Sequence, residues 1–275
     1  MNAPNFAARR AAFRNLHESG CFLIPNPWDS GSAHALEKLG FKALATTSSG
    51  FAWSRARPDN AMDVEAVLAH CREIVEATGL PVNADFEDGH ARDIEGMKKN
   101  VRRCIETGVA GLSIEDATGD ASQPLYELDE AVARIRAARE AIEASGEDVM
   151  LIGRAECFLT GHADPLDESL RRLKAYSQAG ADCLYAPGAR SRQQITAIVQ
   201  AVAPKPVNVL VGSPSEFTLA DLAVLGVRRV SVGSALAGAA WGGFLRAARE
   251  LSAGRFGGFA DNASYSELNT LFGNS

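Results

Sequence analysis

Short β-branched or aliphatic runs alternate with longer amphipathic stretches eight times along this chain. The runs fall at 21–25, 43–47, 82–85, 110–115, 149–154, 182–186, 207–211 and 229–232. Each stretch between them is long enough to be a helix that crosses back over a parallel sheet. Four of these stretches end in a glycine that leads straight into the next run: Leu39-Gly40-Phe41, Thr107-Gly108-Val109, Ala179-Gly180-Ala181 and Leu225-Gly226-Val227. Glycine at that place stops a helix. Two further runs open alike, Leu80-Pro81-Val82-Asn83 and Lys205-Pro206-Val207-Asn208, with proline where a starting strand misses no ladder donor. The pattern predicts an α/β fold in which residues 1–275 form one (β/α)8 TIM barrel, with a doubly wound α/β sheet as the alternative. The tail from about 252 to 275, rich in glycine, serine and asparagine, is expected to be mobile or to pack on a neighbouring subunit.

Composition narrows the classes of function. Hydrophobic residues make up 46% and charged residues 23%, enough apolar material for a continuous core. Lys and Arg number 28 against 34 Asp and Glu, and the basic residues are scattered, which argues against nucleic acid as a partner. The cysteines at 21, 71, 104, 157 and 183 form no Cys-x-x-Cys pair, so neither a disulfide framework nor a zinc ribbon is expected. Arg9, Arg10 and Arg14 are followed by no apolar run of the kind a secretory signal has, and no segment is long enough to span a membrane. A cytoplasmic protein with no membrane partner is expected.

In a barrel of this kind the C-terminal ends of the strands and the loops after them carry the chemistry. After the first run comes Asn26-Pro27-Trp28-Asp29, after the second Ser48-Ser49-Gly50, after the third Asp85-Phe86-Glu87-Asp88, after the fourth Glu115-Asp116, and at the fifth Arg154 with Glu156. Carboxylates converging on one cavity repel one another unless a cation sits among them. Oxygen ligands without a His/Cys cluster suit Mg²⁺, with Mn²⁺ as a substitute. The competing account is that some of these acids only cap helices, which fits Asp29, Asp88 and Asp93 better than Asp85 and Glu115. Arg154, at a strand end, is placed to clamp an anionic group bidentately or to serve Glu115 or Glu156 as a structural partner. Ser49-Gly50-Phe51 offers a hydroxyl and backbone N–H groups to an oxyanion, or is simply a turn. Trp28 and Trp53 flank the expected mouth, His90 reads as a solvated loop residue without a role, and Cys157 as a buried, inert thiol.

Asn26-Pro27-Trp28-Asp29 with Ser32-Ala33, Thr47-Ser48-Ser49-Gly50, Asn83-Ala84-Asp85, Gly108-Val109-Ala110 through Ile114-Glu115-Asp116, and Arg154-Ala155-Glu156 together resemble the isocitrate lyase/phosphoenolpyruvate mutase superfamily. The likeness runs in order over residues 20 to 250. It implies a (β/α)8 barrel whose last helix is swapped between subunits of a homodimer or homotetramer, a Mg²⁺ site, and cleavage or formation of C–C or P–C bonds beside a 2-oxo acid or enolate. By position, Trp28 and Ser49-Gly50-Phe51 resemble the substrate-carboxylate and oxyanion site. Asp59 resembles an outer acid of the metal site, Asp85 and Glu115 match metal-site acids, Arg154 matches a substrate-contacting arginine, and Asn208 resembles a pocket asparagine.

Two departures shape the functional expectation. Where the family shows Asp-x-Asp, this chain has Asn83-Ala84-Asp85, so Glu87 or Asp88 is expected to supply the missing charge. Where its lyases carry a gating motif with a catalytic cysteine, this chain has Ala117-Thr118-Gly119-Asp120-Ala121-Ser122-Gln123-Pro124. Isocitrate cleavage by the usual route is therefore not expected. The reading is a Mg²⁺-dependent, lyase-type enzyme cleaving a small 2-oxo or 2-hydroxy acid through a metal-stabilised enolate. The substrate would be oxaloacetate-like, with phosphonopyruvate as the rival and hydrolase or mutase chemistry as branches. A catalytically silent barrel that binds a 2-oxo acid is the alternative from another class.

Overall fold

A computed structural model describes residues 5–273. All eight predicted runs are strands: β1 Phe22–Ile24, β2 Leu44–Ala45, β3 Val82–Asp85, β4 Gly111–Glu115, β5 Met150–Arg154, β6 Cys183–Tyr185, β7 Val207–Leu210 and β8 Arg229–Ser231. Every pairing is parallel, in the order β1-β8-β7-β6-β5-β4-β3-β2, and the Ala45 N–H donates to the Pro25 carbonyl at 3.1 Å across the remaining seam. The helices are α1 Phe6–Leu16, α2 Ser30–Lys38, α3 Ser48–Ser54, α4 Val64–Ala77, α5 Ile94–Glu106, α6 Leu128–Ser145, α7 Pro165–Gln178, α8 Arg192–Val202, α9 Leu219–Val224, α10 Ala235–Ser252 and α11 Tyr265–Phe272. The fold is thus a (β/α)8 TIM barrel, not a doubly wound sheet. The four glycines read as helix stops all adopt the left-handed backbone, with φ between 87° and 110°.

Because side chains alternate across a strand, the barrel carries two cores. Outward residues such as Leu112, Leu151 and Leu184 pack against the helices. Inward ones, Ile24, Ala43, Ala45, Met150, Ile152, Cys183 and Tyr185, surround Phe13, which α1 inserts into the bottom of the barrel. Gly111 makes room for that plug, since a Cβ there would lie 2.7 Å from the Phe13 ring and 2.8 Å from Asn83 Oδ1. His17, at the C-terminal end of α1, stands edge-on between Phe13 and Phe22 and places Nδ1 2.8 Å from the Phe13 carbonyl oxygen.

The eighth helix breaks the pattern. Of α10 only Ala237 is buried; Leu236, Trp241, Phe244, Leu245 and Leu251 are exposed, and so is the outward Leu23 of β1. The tail, expected to be mobile or to pack on a neighbouring subunit, contains α11 within the described residues. Ser264 caps it by accepting from the Glu267 N–H, and Phe272 lies 6.2 Å from the His34 ring of α2. Its Tyr265, Leu268 and Phe272 recur at helical spacing, which the abundance of small polar residues masks. Residues 274 and 275 lie outside the described residues. Among those described, no helix is long and apolar enough to cross a membrane.

Burial, reinforced by the nearby charges of Arg229 and Arg55 respectively, pushes the His17 pKa down to about 3 and that of His70 to about 4. Both rings stay neutral in the fold, whereas the unfolded chain takes up protons below pH 6.5. Their contribution to stability is therefore present above that pH and is lost as pH falls through the acid range, at up to about 1.4 kcal/mol per pH unit for each ring. Urea unfolding of His17→Leu between pH 7 and 4 is expected to show a shallower decline than the parent; parallel curves would exclude the assignment.

Candidate functional site

The ends of β3, β4 and β5 bring Asp85, Glu115 and Arg154 side by side, because Glu115 is in register with Arg154 and Asp85 with Ser113. Arg154 Nη1 lies 3.0 Å from both Asp85 Oδ1 and Glu115 Oε2, and Nε donates to Glu156. The guanidinium carbon also sits 5.3 Å from the Tyr185 ring centroid. One fork is thus divided among three carboxylates. Burial opposes the arginine's charge, but Glu115, Glu156 and Asp85 outweigh it and hold its pKa above the usual value. Of the two roles read from the sequence, the contacts described here are those of a structural partner to Glu115 and Glu156.

Asp85 is fixed from its other side, where Oδ2 accepts the Ser48 N–H at 3.1 Å and its own N–H donates to Thr46 Oγ1 at 2.8 Å. Two more acids approach on loops. Glu87 holds φ at 46° and Asp59 lies between Ala56 and Asn60, at φ 56° and 60°. Such left-handed backbone is costly for these residues and recurs where a site must aim a side chain. Burial, then the nearby Asp85 and Asp59, pushes Glu87 up to about 8. Burial raises Glu115 and Glu156 as well, each opposed chiefly by Arg154, and it raises Asp59. Five carboxylates around one guanidinium are a local excess of negative charge.

The mouth has two communicating chambers. The outer one, about 420 Å³, is acidic, with Asp59, Glu87, Asp88, Glu115, Arg154 and Glu156 in its wall together with Ala117-Thr118-Gly119. The inner one, about 220 Å³, runs down the barrel axis past Asn26, Ser49, Asp85, Tyr185 and Ser231 to Arg229. Ser48, Asp59, Arg154 and Leu159 line both.

Other residues singled out in the sequence lie elsewhere. Phe51 turns outward and stacks on His70, 3.9 Å between centroids, so it is a packing residue and not a wall of the oxyanion site. The Gly50 N–H is spent on Thr47 Oγ1, 3.3 Å away, as part of the α3 cap, and a Cβ on Gly50 would stand 2.6 Å from Thr47 Cγ2. That glycine is required by packing, and of the tripeptide only Ser49 lines the chamber. Trp28 and Trp53 line neither chamber. Asn208 lies one layer below, donating to Ser231 Oγ at 2.9 Å and accepting from Arg229 Nε at 2.9 Å. Asp29 and Asp93 are helix caps. Asp88 accepts from Tyr126 Oη at 2.8 Å and from the His90 N–H at 2.9 Å while still facing the outer chamber.

His90 is not solvated. Its side chain is only 8% exposed, set edge-on to Phe86 and 3.7 Å from Glu87, because the backbone turn at φ 53° folds it inward. Cys157 is buried, and that burial pushes its thiol up to about 11, which leaves it inert at neutral pH. Asp116 points away from the mouth and holds Arg172, Tyr176 and the Glu156 N–H in a buried network. The loop after it closes on itself: Ala117 pairs with Leu125, the Thr118 N–H donates to the Pro124 carbonyl at 3.1 Å, and Asp120 binds Ser122 through backbone and hydroxyl.

Sequence reasoning missed Arg229. The signal was a second arginine in Arg228-Arg229 at the start of a strand run, where alternation sends one outward and one into the barrel.

This chain matches the phosphoenolpyruvate phosphomutase family over residues 13–252. A Burkholderia cenocepacia J2315 structure, provisionally classed as a lyase/mutase, superposes with a TM-score of 0.94 at 46% identity, covering 98% of each chain. The structure of oxaloacetate acetylhydrolase with its product oxalate gives a TM-score of 0.86 at 26% identity, covering 98% of this chain and 95% of the other. An oxaloacetate decarboxylase of Rhodopseudomonas palustris (strain BisB5) is 31% identical over 237 residues, 82% of this chain and 77% of the relative.

Arg154→Met removes the cation that Asp85, Glu115 and Glu156 share. It is expected to cost about 3–5 kcal/mol near pH 7.5. The cost should be smaller at pH 6 than at pH 9, because Glu87, which burial pushes up to about 8, is neutral at the first and charged at the second. Denaturant unfolding at both pH values checks this, and equal losses would mean that packing alone is at stake.

Proposed function

We propose that this chain, which belongs to the phosphoenolpyruvate phosphomutase family and is a lyase-type enzyme of the wider isocitrate lyase/phosphoenolpyruvate mutase superfamily, breaks the C–C bond one carbon removed from the keto group of a small, oxaloacetate-like 2-oxo acid with the help of Mg²⁺. The observation that supports this reading is the acidic mouth, where Asp59, Glu87, Glu115 and Glu156 share the outer chamber with Arg154, which also pairs with Asp85 in the wall of the inner one.

Among the described residues no three His, Cys, Asp or Glu side chains converge into a closed cage. A closed cage is not what Mg²⁺ requires: it keeps several waters and takes one or two carboxylates plus oxygens of the substrate. Asp85, already oriented by Ser48 and Arg154, is the first candidate ligand, with Glu115, Glu87, Asp88 and Asp59 close enough to act directly or through water. The acids fit a hard, water-rich cation. When bound, such an ion would polarise the 2-oxo acid and offset the negative charge that develops as the bond breaks.

The protein's own groups supply the rest. Arg154 keeps Asp85, Glu115 and Glu156 in place and faces both chambers, while Ser48 and Ser49 offer polar contacts to substrate oxygens. In decarboxylation of oxaloacetate the C3–C4 electron pair stays on C3 as CO₂ leaves, and C3 then takes a proton. The closed 117–125 loop offers no thiol acid, so water delivers that proton, a task that a retro-aldol cleavage of isocitrate would not allow it to shirk. The exposed apolar strip of α10 supports a homodimer or homotetramer in which a second copy covers it.

The purified protein with MgCl₂ is assayed for pyruvate or oxalate from oxaloacetate, phosphoenolpyruvate from phosphonopyruvate, and glyoxylate or pyruvate from isocitrate and methylisocitrate. Turnover is expected with oxaloacetate, abolished by EDTA and restored by Mg²⁺ or Mn²⁺, with negligible cleavage of the two isocitrates. Asp85→Ala should lower it by at least about 100-fold. Binding without any product would replace the enzyme with a silent 2-oxo-acid-binding barrel. Full activity in EDTA would remove the metal from the mechanism.

A further inference from the structure

Four arginines are buried in this protein: Arg10, Arg134, Arg172 and Arg229. Three of them face carboxylates: Arg10 pairs with Glu147, Arg134 with Asp88, and Arg172 with Asp116 and Glu168. Arg229, at 2% exposure, does not. Its Nε donates to Asn208 Oδ1 at 2.9 Å and its Nη1 to Asn83 Oδ1 at 3.4 Å, both neutral amides. A guanidinium has five N–H donors. The remaining three have no acceptor among the described residues, and no carboxylate pairs with the group. Burial pushes its pKa down, and what opposes the shift is the Cys183 thiol and the Tyr185 phenol. A lone buried cation is costly unless an anion is brought to it.

Position says which anion. Arg229 begins β8 in register with Asn208 and lines the inner chamber two residues below Ser231. The inner and outer chambers are continuous through Ser48, Asp59, Arg154 and Leu159. A molecule spanning them would have one end among the rim acids and the other at Arg229. We infer that Arg229 anchors the far carboxylate or phosphonate of a dianionic 2-oxo acid, whose keto end lies in the acidic outer chamber.

This inference rests on the proposed 2-oxo-acid reading and narrows it: the substrate must carry a second negative group, and Arg229 selects for it. Asn83 acts with Arg229 as a positioning residue. Its amide orients the guanidinium while leaving the charge unspent, and a carboxylate at the same place would neutralise it.

Phosphonopyruvate, oxaloacetate and pyruvate are the probes, with affinities taken from calorimetry for the first and last and KM from initial rates for oxaloacetate, all in Mg²⁺. The parent protein is expected to favour the two dianions over pyruvate by more than about tenfold. Arg229→Met should remove that preference and leave pyruvate binding within about twofold, since only the far anion has lost its partner. Asn83→Asp, nearly isosteric and so the safer variant for folding, should erode the preference in the same direction by pairing with Arg229. Equal losses for all three probes, or an unchanged preference in both variants, would overturn the assignment. If neither variant folds, a crystal of the parent protein with phosphonopyruvate decides: the phosphonate within hydrogen-bond distance of Arg229 supports the anchor, and any other placement refutes it. Failure of the parent protein to bind any of the three would instead defeat the 2-oxo-acid reading itself, whereas binding of all three without preference defeats only the role given to Arg229.

Discussion

Arg154, the last residue of β5, stands where the acids that end β3 and β4 and the one just beyond β5 would otherwise repel one another. A parallel barrel points every strand toward the same rim, so acids at the ends of β3 and β4 and just beyond β5 are forced together by the backbone, whatever their charges. The guanidinium makes that crowding tolerable by contacting Asp85, Glu115 and Glu156 at once. Yet one positive charge does not balance the rim, and the imbalance appears as carboxyl groups whose pKa values burial has raised. The protein alone leaves its rim short of positive charge.

Beneath the rim the interior is ordered by depth. Phe13 seals the bottom, a layer of Asn83, Asn208 and Arg229 lies above it, and the carboxylates crown the top. Each layer depends on the one below. Without Gly111 the plug and Asn83 would collide, and without Asn83 and Asn208 the Arg229 side chain would have no fixed direction. The sign of charge therefore changes along the barrel axis within a few residues of strand.

Much of this was legible in the residues because a repeating fold repeats its signals. Eight apolar runs became eight strands, and glycines such as Gly40 and Gly226 ended helices with the positive φ their positions demand. Asp85, Glu115 and Arg154 were visible because strand ends in a barrel carry function. Phe51 was misread because it lies beside Ser49 in sequence, yet a helix begins at Ser48 and turns the phenyl ring away from the mouth and onto His70. His90 was taken as solvated because a polar loop gives no hint of a left-handed turn that folds the ring inward. Arg229 hid for a related reason: a charge inside a strand run says nothing by itself about which wall it faces. Only closure of the sheet decides that it looks down the axis. The interior layer is a property of eight strands at once, which no local window contains.

The bare flank of α10 has a practical side. Trp241, Phe244, Leu245 and Leu251 present an adhesive ridge, continued by Phe256 and Phe259, while Leu23 leaves part of the wall uncovered. Apolar surface of this extent favours any arrangement that removes it from water. Any molecule that covers this ridge would bear on the packing behind β1 and β8, the two strands whose loops carry Asn26 and Gly233 to the edge of the inner chamber.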